Sequence, residues 1–311
     1  SLPKQPVHAT RGGKSLAASL KEPLPERGAP LERLLRLLFG RAIPASLNTA
    51  SPGYLAYIPG GGLFQAAIAD FIALATNRYV GVWLAAPGLV QLEQNVISWF
   101  AGVLGMAPGA GGLLTSGGSM ANLIALVTAR RERLPPDFLR GVIYTSDQAH
   151  HSVTKAAIIA GFPEARVRAL PHDERFRLRL DALAAAVEED RGAGLEPFCV
   201  VASAGTTNTG AVDDLEAVAR LAKAEGLWLH VDAAYGGFFA MTERGREALR
   251  GIERADSVTL DPHKGLFLPY GTGCLVVRDP GSLRRAHAVG ASSYMPRMQT
   301  DPDLVDFCEI G

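Results

Sequence analysis

The 311-residue chain is 48% hydrophobic and 20% charged, with 31 Lys plus Arg balanced by 31 Asp plus Glu. This length can bury one large core with flanking pieces, and the zero formal charge gives no overall basic field to gather nucleic acid or anionic lipid. No stretch reaches the roughly 18 uninterrupted apolar residues of a membrane span, and the first residues, SLPKQPVHATRGGKS, lack the apolar core of a signal peptide, so a small-molecule partner is expected.

Pro and Gly crowd residues 1–30, which read as an extended or wrapping arm. Downstream, LVQLEQNVISWFAGVLG at 89–105 places Leu92, Val96, Ile97, Phe100, Val103 and Leu104 on the stripe of an amphipathic helix. From Gly112 to Val277, β-branched runs alternate with helical stretches. Strands are predicted at 141–145, 165–170, 198–204, 227–233, 257–261 and 273–277. SMANLIALVTARRER starts a helix after glycines, and DDLEAVARLAKAEG opens with acids and closes on Gly226, as helix ends prefer. Such βα repetition predicts an α/β fold with a mostly parallel, doubly wound sheet and ligands at the carboxyl ends of its strands. Cys199, Cys274 and Cys308 form no CxxC and lie in apolar contexts, which argues against a disulfide framework or structural zinc and fits a reducing cytoplasm.

Several segments carry residues suited to chemistry. TSGGSMAN (115–122) is a glycine-bearing turn into a helix, where exposed backbone N–H groups favour a phosphate. No GK[ST] follows, so it is not a P-loop, and around Ser119 it also reads as a relaxed nucleophile elbow of a serine hydrolase. SDQAHHSV puts His150 between a strand and a helix. VASAGTTNTGAVDD puts Thr206 and Thr207 after a strand, and HVDAAYGG ends a strand on Asp232, a carboxylate that needs a cationic partner or serves as a helix cap. A metal site drawn from His230, Asp232, His150 and His151 lacks a third ligand group at convincing spacing, and no metal is expected. DPHKGL places Lys264 between two apolar β-like runs, where a strand-end loop would hold a reactive amine. An anion cradle, an acid, an imidazole and an amine, all at strand ends, form the set that pyridoxal phosphate (PLP) needs.

In the same order, TSGGSMAN, SDQAHHSV, AGTTNTGAVDDL, HVDAAYGG and DPHKGL resemble the signatures of the group II PLP-dependent amino-acid decarboxylases, the family of aromatic-L-amino-acid decarboxylase, over 51–309. The resemblance implies a fold type I large domain (aspartate aminotransferase-like) with a mostly parallel seven-stranded sheet at 51–285. It implies an N-terminal arm or partial wrapping segment at 1–50, without the helical part that embraces a partner subunit. It also implies a mobile catalytic loop and the start of a connection to a small C-terminal domain at 286–311, that domain itself being missing.

By position, the resemblance implies that Lys264 forms a Schiff base with the cofactor, Asp232 pairs with the pyridine nitrogen and His150 stacks on the ring. Gly118 and Ser119 hold the phosphate with Asp261 and His263, although many relatives carry asparagine where Asp261 stands. Thr207 and Ala234 complete the cofactor contacts, and Tyr294 donates the proton to the substrate Cα. Tyr57, Ile58 and Pro59, with Tyr79 and Gly81 from across a homodimer interface, line the substrate site. The implied reaction is decarboxylation of an L-amino acid, aromatic by preference (tyrosine, dopa, tryptophan or phenylalanine), to the amine and CO2. Alternatives are another PLP enzyme of the same fold, such as an aldehyde synthase or lyase; a truncated core that binds cofactor without turnover; and the serine hydrolase at Ser119.

Overall fold

Seven strands form one sheet: β1 (Gly111–Thr115), β2 (Gly141–Ser146), β3 (Val167–Leu170), β4 (Glu196–Ser203), β5 (Trp228–Asp232), β6 (Ser257–Leu260) and β7 (Gly273–Val277), in the spatial order β1-β7-β6-β5-β4-β2-β3. The computed structural model describes residues 7, 12–55, 57–58, 62–288 and 304–311. Only β7 runs antiparallel to its neighbours β1 and β6, and the remaining pairs are parallel. β2 and β7 are buried along their whole length, as continuous apolar runs between helices must be. The six expected strands are all present, with no end displaced by more than two residues. β1, GGLLT, carries too little pattern to stand out: five residues, two of them glycine.

Helices cover both faces. In chain order they are α1 (Gly13–Ser19), α2 (Leu31–Leu37), α3 (Phe64–Thr76), α4 (Pro87–Val103), α5 (Gly118–Arg133), α6 (Ser152–Ile159), α7 (Leu180–Gly192), α8 (Leu215–Glu225), α9 (Glu243–Ala248), α10 (Pro262–Gly265) and α11 (Pro280–His287). α5 crosses the sheet centre and buries Ala121, Asn122, Ala125, Leu126 and Ala129, spacings of 3 and 4 that define one helical face. The other end signals act as expected. The Asp214 carboxylate accepts from Ala217 N at 3.0 Å to start α8, and Gly226, left-handed at φ 70°, ends it. One cluster, around Val90, Val200 and Leu260, fills one face, and a second, around Leu126, Ile143, Phe162 and Phe198, fills the other. Each such side chain contributes about 1.5–3 kcal/mol on burial.

Three expectations change. The arm is not purely extended: α1 and α2 form within it, and the Leu spacing in LERLLRL explains the second, yet neither helix buries a residue. On α4 the buried residues are Val90, Ile97 and Ala101, whereas Leu92, placed on the stripe by spacing, is exposed. The division at 285 cuts α11, and residues 304–311 fold back onto the large domain. There Asp306 Oδ1 accepts from Trp83 N at 2.7 Å, Cys308 N donates to Gly81 O at 2.9 Å, and Phe307 and Ile310 are buried.

Candidate active site

A cavity of about 260 Å³ opens at the carboxyl ends of β1, β2, β4, β5 and β6 and at the amino end of the antiparallel β7. This is where an α/β sheet presents ligand-binding loops. Gly117, Gly118, Ser119, His150, Thr207, Asp232, Ala234, Asp261, His263 and Lys264 all line it, as do Ser116, Asn122, Ser152 and Tyr235. The structure therefore brings together the cofactor-site residues read from five separate motifs. Tyr57, Ile58, Tyr79 and Gly81 do not line it in this chain. Tyr57 is largely exposed with φ 62°, and the Tyr79 ring lies over Gly81, where an added Cβ would stand 2.4 Å from its hydroxyl. Pro59 and Tyr294 lie outside the described residues.

The cradle is built by close packing of glycines. Gly117, at φ 147°, turns the chain from β1 into α5, a backbone state that favours glycine. Its Cα would be 2.5 Å from a Cβ at Gly273, and a Cβ on Gly118 would stand 2.9 Å from Asp261 Oδ2 and 3.2 Å from Ala234 Cβ. Gly118 and Ser119, the first two residues of α5, line the cavity, and the N-terminus of a helix is where an anion binds.

Lys264 sits on α10, a single turn started by Pro262, and its Nζ lies 2.9 Å from Asp261 Oδ2. Asp261 is buried, and its Oδ1 has no hydrogen-bond partner among the described residues, an unusual state for a carboxylate oxygen. His263 donates from Nδ1 to Thr272 O at 2.6 Å, since a carbonyl only accepts, and its Nε2 points towards Asp261 at 3.9 Å.

Asp232 ends β5. Its Oδ2 accepts from Asn122 Nδ2 at 3.0 Å and its Oδ1 from Ala234 N at 3.2 Å. His150 receives two hydrogen bonds at Nδ1, from Ser152 Oγ at 2.8 Å and Ser152 N at 3.3 Å. Burial and then the neighbouring His151 hold it below the usual imidazole range, against the pull of Asp232. It is therefore a neutral ring at pH 7. Asn122 and Ser152 were not singled out from sequence. The signal was available: a polar residue one turn into an otherwise apolar helix face, in the motif already quoted.

The donor set fits a phosphate-bearing aromatic cofactor. A helix N-terminus faces the cavity, a carboxylate and a neutral imidazole line it, and an amine stands across from them. It does not fit a hydrolase. Among the described residues no hydrogen bond joins the Ser119 hydroxyl to His150 or His263, the two histidines that line the cavity, and a serine nucleophile needs that contact.

The family model described as the pyridoxal-dependent decarboxylase conserved domain matches residues 15–307. The chain belongs to that family. It is 41% identical over 311 residues to an aromatic-L-amino-acid decarboxylase of Bacillus atrophaeus, covering all of this chain and 65% of that protein. It is 37% identical to an L-2,4-diaminobutyrate decarboxylase of Rhizobium meliloti, over 83% of this chain and 52% of that one. A crystal structure of Oryza sativa TDC with PLP and tryptamine superposes with a TM-score of 0.92 at 30% identity, covering 99% of this chain and 66% of its own. The decarboxylase-family chain thus has the fold type I architecture that its motifs imply, and spans less than two thirds of the length of these relatives.

Proposed function

We propose that this chain carries the catalytic core of a PLP-dependent decarboxylase acting on an aromatic L-amino acid. The observation that carries the reading is the meeting of Lys264, Asp232, His150 and the Gly117–Ser119 turn around one cavity. When bound, PLP supplies an electron-accepting ring for the bond to the departing carboxyl group. Lys264 is the amine to which its aldehyde would be joined as a Schiff base. Asp232 would hold a proton on a ring nitrogen, His150 would offer a flat face for stacking, and the first turn of α5 with Ser119 would hold the phosphate. His263, Thr207 and Ala234 would complete the contacts, with Asp261 at the cradle paired to Lys264. Tyr294 is the proposed proton donor to the substrate Cα.

The aromatic preference follows the Bacillus atrophaeus relative. It is supported by a ring cluster at the cavity edge, where Tyr270 lies 5.5 Å from His263 between ring centroids. Tyr57, Ile58 and Pro59 belong to the proposed substrate wall, with Tyr79 and Gly81 supplied by a second copy in a homodimer. α3 supports that assembly, since it buries no residue and leaves Phe64, Ile68, Phe71, Ile72 and Leu74 exposed. No described helix is long and apolar enough to cross a membrane, and free Cys199, Cys274 and Cys308 favour a reducing, cytoplasmic site of action.

The test is an absorbance spectrum with added PLP before and after borohydride reduction, with Lys264→Ala as control. A band near about 420 nm that reduction fixes on Lys264 supports the reading, and CO2 release from aromatic amino acids extends it. A folded protein without that band removes it. Aldehyde in place of amine as product would move the assignment to an aldehyde synthase of the same fold.

A further inference from the structure

The carboxylate and the imidazole of the site are held by one side chain. The Asn122 amide presents Nδ2 to Asp232 Oδ2, which accepts from it at 3.0 Å. The second N–H of the same amide meets Ser152 Oγ at 3.0 Å. The amide oxygen therefore faces inward, where Thr259 Oγ1 stands at 2.7 Å and His230 Nε2 at 3.0 Å. A carbonyl oxygen only accepts, so His230 carries its proton on Nε2. Complete burial keeps that ring neutral and pushes it down to about 4, which leaves its Nδ1 bare to accept from Ser257 Oγ at 2.8 Å. Ser257 Oγ in turn accepts from Trp228 Nε1 at 2.8 Å, and an indole only donates.

At the other end, the Ser152 backbone N–H can only donate to His150 Nδ1. The Ser152 hydroxyl, having accepted from Asn122, is free to donate to the same nitrogen. His150 thus also carries its proton on Nε2. Every hydrogen bond from Trp228 through Ser257, His230 and Asn122 points the same way and ends on Asp232 and, through Ser152, on His150.

We propose that Asn122 is a positioning residue that orients Asp232 and His150 together, itself held by the buried chain of donors that starts at Trp228. This deepens the cofactor assignment made above and rests on it. Asn122 divides its two N–H groups between the acid expected under the ring nitrogen and the serine that fixes the imidazole, so loss of either orientation disturbs the other. Polarised chains of this kind hold their members in one tautomer and lose several interactions when one link is cut.

The experiment has two parts. In cofactor-free protein with nitrogen-labelled histidine, NMR at pH 7 should show His230 and His150 as neutral rings protonated at Nε2. PLP titration should then show Asn122→Ala, which loses a hydrogen bond to the Asp232 carboxylate, binding about tenfold more weakly, and His230→Phe, which leaves the Asn122 amide oxygen without that donor, weakened in the same direction. The pH at which the bound cofactor's absorbance changes should shift with it. His230→Gln, which keeps an N–H for the Asn122 oxygen, should retain both properties. A ring protonated at Nδ1, or His230→Phe with unchanged affinity and titration, overturns the proposal. If Asn122→Ala does not fold, the Phe and Gln variants at 230 decide. A wild-type protein that shows no band near about 420 nm sinks the PLP reading, while the histidine tautomers still decide the chain of donors.

Discussion

Lys264 Nζ lies 2.9 Å from Asp261 Oδ2, while the other oxygen of the same buried carboxylate has no hydrogen-bond partner among the described residues. The carboxylate also sits against Gly118, at the proposed phosphate cradle. A second anion there opposes a phosphate, and the ammonium that offsets it is the group proposed to react. Asp261→Asn keeps the shape and removes the charge, and the orphaned position gains an N–H donor. We expect it to bind PLP about tenfold more tightly, a difference of about 1.4 kcal/mol, read by fluorescence titration. Weaker binding would mean that the carboxylate serves the cofactor as an acceptor.

Gly118→Ala tests the cradle directly. The new Cβ would meet Asp261 Oδ2 at 2.9 Å and Ala234 Cβ at 3.2 Å, and backbone-anchored Ala234 cannot yield as a flexible side chain would. Overpacking of this size costs about 1–3 kcal/mol. Urea denaturation should show that loss, and affinity for inorganic phosphate should fall as the first turn of α5 is displaced. A variant with unchanged midpoint and unchanged phosphate binding would show that the turn adapts.

Much of this site is legible in the sequence because strand-end loops are short and local. Once β5 is read, Asp232 must fall at its carboxyl end, and Lys264 follows β6 for the same reason. What spacing does not reveal is which side chain satisfies which. Asn122 and Asp232 are 110 positions apart and meet only because α5 lies across the sheet centre. Tyr57 and Tyr79 fail differently. Both sit in segments that resemble substrate-lining ones, yet neither lines the cavity of its own chain: for Tyr79 that is what a wall supplied by a second copy requires, whereas Tyr57 stands exposed to solvent. α2 was missed because its Leu pattern lies among prolines and glycines that argue locally for an arm.

The buried histidine sets a pH dependence. His230 has an ordinary pKa near about 6.5 when unfolded and about 4 when folded, burial being the main cause and the charge of Asp232 a partial offset. Between those values the unfolded chain binds the proton and the folded one does not, so stability rises with pH. His230 therefore costs nothing above pH 6.5 and weakens the fold progressively as pH falls towards 4. His150 and His287, also held low chiefly by burial, add to the same trend. Denaturant midpoints at pH 7 and pH 5 should differ in that direction, and His230→Gln should narrow the gap. An equal gap in both proteins would show that His230 is not the group being protonated.

Tyr144 offers a stability test remote from the cavity. Its hydroxyl, fully buried, donates to Asp190 Oδ2 at 2.9 Å, and Arg168 pairs with both oxygens of that carboxylate at 3.1 and 2.5 Å. Tyr144→Phe fills nearly the same volume but leaves a buried carboxylate one donor short, a loss of about 1.5–3 kcal/mol for a hydrogen bond to a charged group. Adding Asp190→Asn should recover part of it, because the uncompensated charge goes too. Thermal unfolding of the two single variants and the double measures the coupling, and additive losses would show that Arg168 alone satisfies Asp190.

α3 makes the assembly testable without touching the fold. Phe71 and Leu74 are 72% and 80% exposed, and the helix buries no residue of its own chain. A polar replacement there removes no core packing, so Phe71→Asp should leave the unfolding transition of the isolated chain within about 0.5 kcal/mol of wild type. In a dimer that covers α3, the same change places an unpaired carboxylate in an apolar interface, a cost of several kcal/mol. Sedimentation equilibrium should therefore find wild type as a dimer and Phe71→Asp as a monomer at the same concentration. The monomer should also lose affinity for an aromatic substrate more than for PLP, because the partner's Tyr79 leaves the substrate wall while Lys264, Asp232 and the cradle all belong to one chain. A monomeric wild type would remove the proposed dimer, and a dimer indifferent to Phe71→Asp would place the interface elsewhere.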